Sequence, residues 1–231
     1  MRVAVIGAHP DDQELGMGGT ISRLARLGHA VTLVDLSDGE PTPKGSARRR
    51  AAESANAARI LRVTRQQVGL RNREIMDDLP SRAALAGILR ALRPDVIFTH
   101  HSEDAHPDHV AASRLTTAAR FAAKLVKCDL PGSPWFAPRL FQYYSVHLKS
   151  IPSPSFVVDT TGHSARKLKA ILAYRSQFVQ HPPNRGIPQW IRAQDEYFGS
   201  RIAVATAEPF FSPEALALDP AALVPRPSRA R

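Results

Sequence analysis

Val3-Ala-Val-Ile-Gly-Ala8, followed at once by His9-Pro10-Asp11-Asp12, is the stretch on which the fold turns. The unbroken apolar run lacks the polar alternation of a half-exposed strand, so it reads as a strand buried on both faces. Its exit carries an imidazole and two carboxylates. Far along the chain the arrangement recurs: Asp95-Val-Ile-Phe-Thr99 leads to His106-Pro-Asp-His109. If the two strands are neighbours in one sheet, both clusters open onto the same edge and can share an ion. Imidazoles and carboxylates so placed are what metal-assisted hydrolysis requires.

Outward from the first strand, the chain alternates strand, loop and helix. Gly16-Met-Gly-Gly19 leads into a helix over Thr20–Leu27 that stops at Gly28, and Ala30–Val34 is a β-branched strand. Ser46–Leu61 predicts an alanine-rich helix with Arg48, Arg49 and Arg50 in its first turn. A short strand follows near Gln67–Leu70, then a helix over Ser81–Leu92 with Ser81 as N-cap. Val96–Thr99 is the next strand, and the segment after His109 is helical to about Val126. In the second half, Leu140–Val146 and Ser155–Asp159 read as strands, and Ser164–Phe178 and Gln189–Phe198 as helices. Such alternation predicts an α/β fold: a Rossmann-like, mostly parallel sheet with helices on both faces, in a single domain. That domain is expected over residues 1–219, with 220–231 a basic Pro/Arg-rich tail.

Composition narrows the classes. A chain of 231 residues with 43% hydrophobic residues buries a full core. No apolar stretch reaches the roughly 18 residues of a membrane span, and Asp11, Asp12 and Glu14 interrupt any leader-like start. With Cys128 alone, no intrachain disulfide or multi-cysteine zinc site is available, and the chain reads as cytoplasmic. A net charge of +10 suits an acidic small molecule or a polyanion. No aromatic-interleaved basic stripe accompanies it, so nucleic acid is not the expected partner. A non-catalytic α/β module binding nucleotides or nucleic acid through the basic surface is the alternative reading. Gly16, Gly18 and Gly19 do not follow the dinucleotide-binding spacing, and close packing of the first helix accounts for them better.

Either aspartate of the first cluster could simply cap the helix that follows, and Asp108 could do so in the second. The recurrence of both clusters at equivalent places favours a shared ion instead. Two histidines and one carboxylate make an open site with room for water and substrate. Of Asp11 and Asp12, one binds the ion and the other serves as general base. Of the two histidines in the second cluster, one is a ligand and one stands by the developing oxyanion, with Asp108 orienting it and raising its pKa.

The motifs Ala8-His-Pro-Asp-Asp12, Gly16-Met-Gly-Gly-Thr20 and His106-Pro-Asp-His109 resemble the zinc-dependent N-acetylglucosaminyl deacetylases of the PIG-L/LmbE family. Arg50-x-x-Glu53, Ala57-Ala-Arg-Ile-Leu61, Tyr174-Arg-Ser-Gln-Phe178 and Glu208-Pro-Phe-Phe211 extend the likeness over nearly the whole chain. It is nearest to the branch that deacetylates N-acetylglucosaminyl malate in bacillithiol biosynthesis. The resemblance implies His9, Asp12 and His109 as ligands of Zn2+, with Fe2+ the other candidate. It implies Asp11 as general base, His106 as oxyanion stabiliser or acid with Asp108 beside it, and Arg50 as a substrate contact. Tyr174 and Gln177 are expected in the sugar pocket. The implied partner is a small N-acetylated amino sugar, acidic in the bacillithiol branch, and the family commonly forms homo-oligomers. Gln13 stands where many members carry Glu, and Asp104 where mycothiol-pathway relatives have tyrosine. Glu53, one turn after Arg50, is expected to hold it in place.

Overall fold

The computed structural model describes residues 1–147 and 152–217. The expected boundary at 219 and the tail at 220–231 lie outside the described residues. A seven-stranded sheet is built from β1 (Arg2–Gly7), β2 (Ala30–Ser37), β3 (Thr64–Leu70), β4 (Val96–His100), β5 (Arg139–Tyr143), β6 (Phe156–Asp159) and β7 (Ala207–Phe211). The order is β3-β2-β1-β4-β5-β7-β6. The first five strands in that order are parallel, and β7 runs antiparallel to both its neighbours. The helices are α1 (Asp12–Arg26), α2 (Ala47–Leu61), α3 (Leu79–Leu92), α4 (Pro107–Ala123), α5 (Ser164–Ile171), α6 (Arg175–Phe178) and α7 (Ile187–Arg201).

Two cores sit on the two faces of this sheet, which is why β1 is apolar from Val3 onward. Val3 and Val5 point into one, with Leu33, Met17, Ile21 and Tyr174. Ala4 and Ile6 point into the other, with Val34, Leu36, Leu85 and Leu115. Helices α1, α2 and α5 pack together on the first face, and α3 and α4 on the second. β1 pairs directly with β4, with Val3, Ala4 and Val5 opposite Val96, Ile97 and Phe98. The chain order reverses between these two strands, so their exits flank the crevice where α/β sheets bind ligands.

Several elements differ from the sequence reading. The first helix begins at Asp12 and breaks at Met17, whose φ of −150° is not helical. The freed N–H groups of Gly19 and Thr20 are capped by the Glu208 carboxylate at 2.8 and 2.7 Å. Lys167 joins that carboxylate at 2.7 Å and Asp195 at 2.8 Å, so the buried charges form a closed set. Asp78, rather than Ser81, caps α3, accepting the Ser81 N–H at 2.8 Å. The expected helix over Ser164–Phe178 is two, α5 and α6, separated around Ala173. Strand β7 has no counterpart in the sequence reading, because Pro209 argues against a strand between two partners.

The glycine run is used for packing, as the spacing suggested. A β-carbon at Gly16 would run into the Tyr143 ring, and one at Gly18 would stand 2.8 Å from the Lys167 side chain. Gly16→Ala is therefore expected to cost about 1–3 kcal/mol through overpacking, read as a lower urea midpoint. An unchanged midpoint would show that the helix–sheet contact yields without cost.

Candidate metal centre and cavity

The β1 exit is tied down before it turns. Ala8 donates its N–H to His100 Nε2 at 3.0 Å, and its carbonyl accepts from Ser37 N–H at 3.0 Å and Ser37 Oγ at 2.9 Å. Asp11 adopts φ 108°, a left-handed conformation costly for a residue with a β-carbon, and its side chain makes no cap to α1. Asp12 Oδ2 accepts the His9 N–H at 2.8 Å. Neither carboxylate therefore caps the helix. The second cluster is built likewise: the cap of α4 is His106, whose Nδ1 accepts the Asp108 N–H at 3.2 Å. Asp108 is left free for another partner.

Side by side, the two exits bring His9, Asp12 and His109 together. Their potential ligand atoms all lie within 4.8 Å of one another, and all three residues are buried. His9 Nδ1 is 3.4 Å from Asp12 Oδ2, and His109 Nε2 is 3.3 Å from Asp12 Oδ1. The outer ring nitrogens face carboxylates: His9 Nε2 is 3.0 Å from Asp108 Oδ2, and His109 Nδ1 is 3.1 Å from Asp104 Oδ2. The hydrogen-bonded Asp108 so placed holds a proton on His9 Nε2 and turns its inner lone pair toward a cation, while Asp104 sets a negative charge beside His109 without a formed hydrogen bond.

Electrostatics point the same way. Burial works to lower the His9 pKa, yet Asp12 and Asp108 outweigh it and lift it to about 9. Burial likewise opposes the rise of His109 to about 10, which Asp12 and Asp104 cause. Burial would raise Asp12, but His109, His100 and His9 hold it well below the usual carboxylate range. The cluster thus collects positive charge around one buried carboxylate. Two imidazoles and a carboxylate fit a zinc or ferrous ion, which supplies that charge without protons.

Asp11 behaves differently from its neighbour. Burial pushes it up to about 7, against the pull of Arg50. Arg50 Nη2 donates to Asp11 Oδ2 at 2.8 Å and to the Pro10 carbonyl at 2.6 Å. The guanidinium lies over the Tyr174 ring, 5.3 Å from its centroid, and its Nε and Nη1 are buried without a protein partner. A cavity of about 200 Å3 opens over the cluster, lined among others by Asp11, Arg50, Arg73, His106, His147 and Gln177.

Some expected roles fall elsewhere. Asp108 orients His9 rather than His106, and also accepts the Arg73 N–H at 2.8 Å. His106 is not raised: burial, then His109 and His9, lower it to about 4, so it is neutral with its proton on Nε2. Tyr174 is fully buried behind Arg50, donating to Glu14 Oε1 at 3.1 Å, and does not line the cavity. Glu53 binds Ser176, accepting from its N–H at 2.8 Å and its Oγ at 2.6 Å, and its ion pair is with Arg49 at 3.6 Å rather than with Arg50. Gln177 does reach the cavity, donating to Thr42 Oγ1 at 3.0 Å. Gln13 joins a buried network instead, donating to Asp35 Oδ1 at 2.9 Å beside Arg65.

Sequence reasoning passed over four neighbours of the site. His100 ends β4 and is 0% exposed. Its position at the strand exit was the available signal. Asp104 and the Arg73 backbone back the two histidines, and nothing local marks them. The His147 ring lies 5.5 Å from His106 and 5.6 Å from His109, brought in by β5.

A mostly parallel sheet with a histidine–aspartate cluster at its switch point defines an α/β fold with a candidate metal site. Residues 4–120 match the family described as PIG-L: GlcNAc-PI de-N-acetylase. The chain belongs to this PIG-L/LmbE-like deacetylase family. Among solved structures, the conserved protein TT1542 of Thermus thermophilus is 39% identical, with a TM-score of 0.88 over 95% of this chain and 98% of that one. The N,N'-diacetylchitobiose deacetylase of Pyrococcus horikoshii is 29% identical, with a TM-score of 0.78 over 90% of this chain and 82% of that one. A 1D-myo-inositol 2-acetamido-2-deoxy-alpha-D-glucopyranoside deacetylase 2 of Saccharopolyspora erythraea is 28% identical over 75% of this chain and 82% of its own length. No helix among the described residues is long and apolar enough to cross a membrane.

The raised histidines make a pH signature. Their folded pKa values of about 9 and 10 exceed the ordinary 6.5, so the stability they contribute is full below pH 6.5 and is lost as pH rises through 9 to 10. In chelator, the wild-type melting temperature should fall more between pH 6.5 and 10 than that of Asp12→Asn, which lacks the attracting charge. Parallel curves for the two proteins would contradict the electrostatics described.

Proposed function

We propose that this chain is a metal-dependent hydrolase that removes the acetyl group from an N-acetylglucosamine derivative. The observation that carries this reading is the convergence of His9, Asp12 and His109 under a cavity that also holds Asp11. His9 Nδ1, His109 Nε2 and Asp12 would hold the ion. When bound, the ion would polarise the amide carbonyl and make a water acidic enough to ionise near neutral pH.

The chain's own groups account for the remaining steps. Arg50 fixes one oxygen of Asp11, leaving Oδ1 to take the proton of the attacking water. A carboxylate shifted toward neutrality is suited to accept that proton and return it. His106 Nε2–H donates to the oxygen that becomes negative as the tetrahedral carbon forms. Collapse breaks the C–N bond, Asp11 passes its proton to the amine, and acetate leaves. Asp108 acts through His9, holding its ring. Gln177 lines the cavity as a sugar contact, and Tyr174 acts only by supporting Arg50 from below.

We further propose N-acetylglucosaminyl malate as the substrate, since Arg50 and Arg73 place two cations on the cavity wall for a carboxylate. The names of the relatives described above support an amino-sugar substrate of this general type and extend to inositol or a second sugar as aglycone. Acetate release from a panel of N-acetylglucosaminides bearing malate, inositol or glucosamine, with and without chelator and re-added zinc, tests both levels. Metal-independent release would remove the metal from the reaction, and preference for a neutral aglycone would remove malate. Metal analysis after anaerobic purification separates zinc from ferrous iron.

Two substitutions separate the roles. Asp11→Ala is expected to keep its metal and lose about 10²–10⁴-fold in turnover, whereas His109→Ala should lose the metal itself. Wild-type acetate release by Asp11→Ala would take Asp11 out of the reaction.

A further inference from the structure

We propose that the end of the domain remote from the cavity docks on an anionic phospholipid surface. The cavity residues His106 and His109 stand at the start of α4, whereas Phe121 and Lys124 stand at its close. At 1.5 Å per residue, the 17 residues of α4 put roughly 25 Å between the two ends.

Around the closing end, aromatic and aliphatic side chains are left uncovered with cations threaded among them. Lys124 Nζ lies 4.1 Å from the Phe121 ring centroid and 5.2 Å from that of Phe136. Phe121 is 56% exposed and Phe136 43%, and Leu125 and Val126 are exposed beside Lys124. Next in the chain to Phe136, Trp135 pins this surface to the domain. Its backbone N–H donates to the Ala123 carbonyl at 2.9 Å and its Nε1–H to the Pro94 carbonyl at 2.9 Å. Arg93 and Arg2 lie over the same ring, 4.6 and 5.3 Å from its centroid. Arg2 carries the surface on to the exposed Met1, at the head of β1.

Single exposed apolar side chains are ordinary, but a contiguous set is a mark of interaction. Cations at a helix C-terminus answer its dipole, which accounts for Arg93 and Lys124. It does not account for the rings and aliphatic chains beside them. Acids in this region are mostly committed: Asp95 accepts the Arg2 N–H at 2.7 Å and Glu214 pairs with Arg120, while Asp129 is exposed.

Charge and apolarity together choose the occupant. A second copy of the same end would set cation against cation. Nucleic acid would satisfy the cations and stack on the rings, but would offer Met1, Leu125 and Val126 nothing to bury against. An anionic bilayer meets both demands, with headgroups for Arg2, Arg93, Lys124 and Lys127 and the acyl boundary for the apolar side chains. The cavity, at the opposite end, stays turned to water.

The test sediments the full chain with vesicles of phosphatidylcholine alone, or of phosphatidylcholine mixed equally with phosphatidylglycerol. Binding to the mixed vesicles and not to the neutral ones is expected. Phe121→Ser should weaken it about 10-fold, and Lys124→Ala about 5-fold. Both positions lie away from the cavity, so acetate release should equal that of the wild type, and vesicle binding is read whether or not the activity proposed above holds. Should Phe121→Ser fail to fold, Val126→Ser takes its place, since Val126 is 80% exposed. Absence of binding to the mixed vesicles would overturn the proposal. Binding that neither substitution weakens would overturn it too, by showing a general attraction of a chain with net charge +10. Tighter binding to duplex DNA than to vesicles, weakened by the same substitutions, would replace the bilayer with nucleic acid.

Discussion

One buried negative charge organises this protein: the carboxylate of Asp12. A carboxylate removed from water must be compensated, and here the compensation comes from imidazoles of three origins, the β1 exit, the β4 exit and the first turn of α4. His9 and His109 gain protons to meet it, and a divalent ion can take their place. Its neighbour Asp11 answers to different surroundings. A left-handed φ of 108° turns that side chain toward Arg50, and the two adjacent aspartates titrate in opposite directions. The contrast between the two carboxylates is thus a property of the turn, achieved within two residues.

Holding that turn takes residues from the far end of the chain. The first helix breaks at Met17, and the cap for its second half is Glu208 from β7. Glu208 is in turn neutralised by Lys167, which also pairs with Asp195. Leaving one member of a buried charge set uncompensated costs about 3–5 kcal/mol, so the three are bound to persist together. The Glu208-Pro-Phe-Phe211 segment therefore belongs with the site despite its distance from it. It fastens the helix whose first residue is Asp12.

The cavity wall is polar around Arg50. Arg50 presents Nε and Nη1 without a protein partner, while Nη2 is committed to Asp11 and Pro10. One guanidinium thereby links Asp11 to the cavity wall. Tyr174 supports it from beneath, and Glu14 fixes the Tyr174 hydroxyl. This arrangement explains why an aromatic that looked like a pocket residue is found one layer deeper.

What the sequence by itself determined is the alternation of elements, the mostly parallel sheet with helices on both faces, and the placing of the two His-Pro-Asp clusters at strand exits, while the choice of His9, Asp12 and His109 within them came from the family resemblance. These are local matters: apolar runs of strand length, helix periodicity, and charged residues crowded at strand exits. Tertiary structure alone decided which carboxylate serves which imidazole. Asp108 lies beside His106 in sequence yet pairs with His9, because the helix start turns its side chain across the crevice. His100 and Asp104 enter the site only through the β1–β4 pairing and the loop before α4, and β7 is a strand only because β5 and β6 stand on either side of it. A side chain's partner depends on which elements meet in space, and residue spacing along the chain carries no record of that.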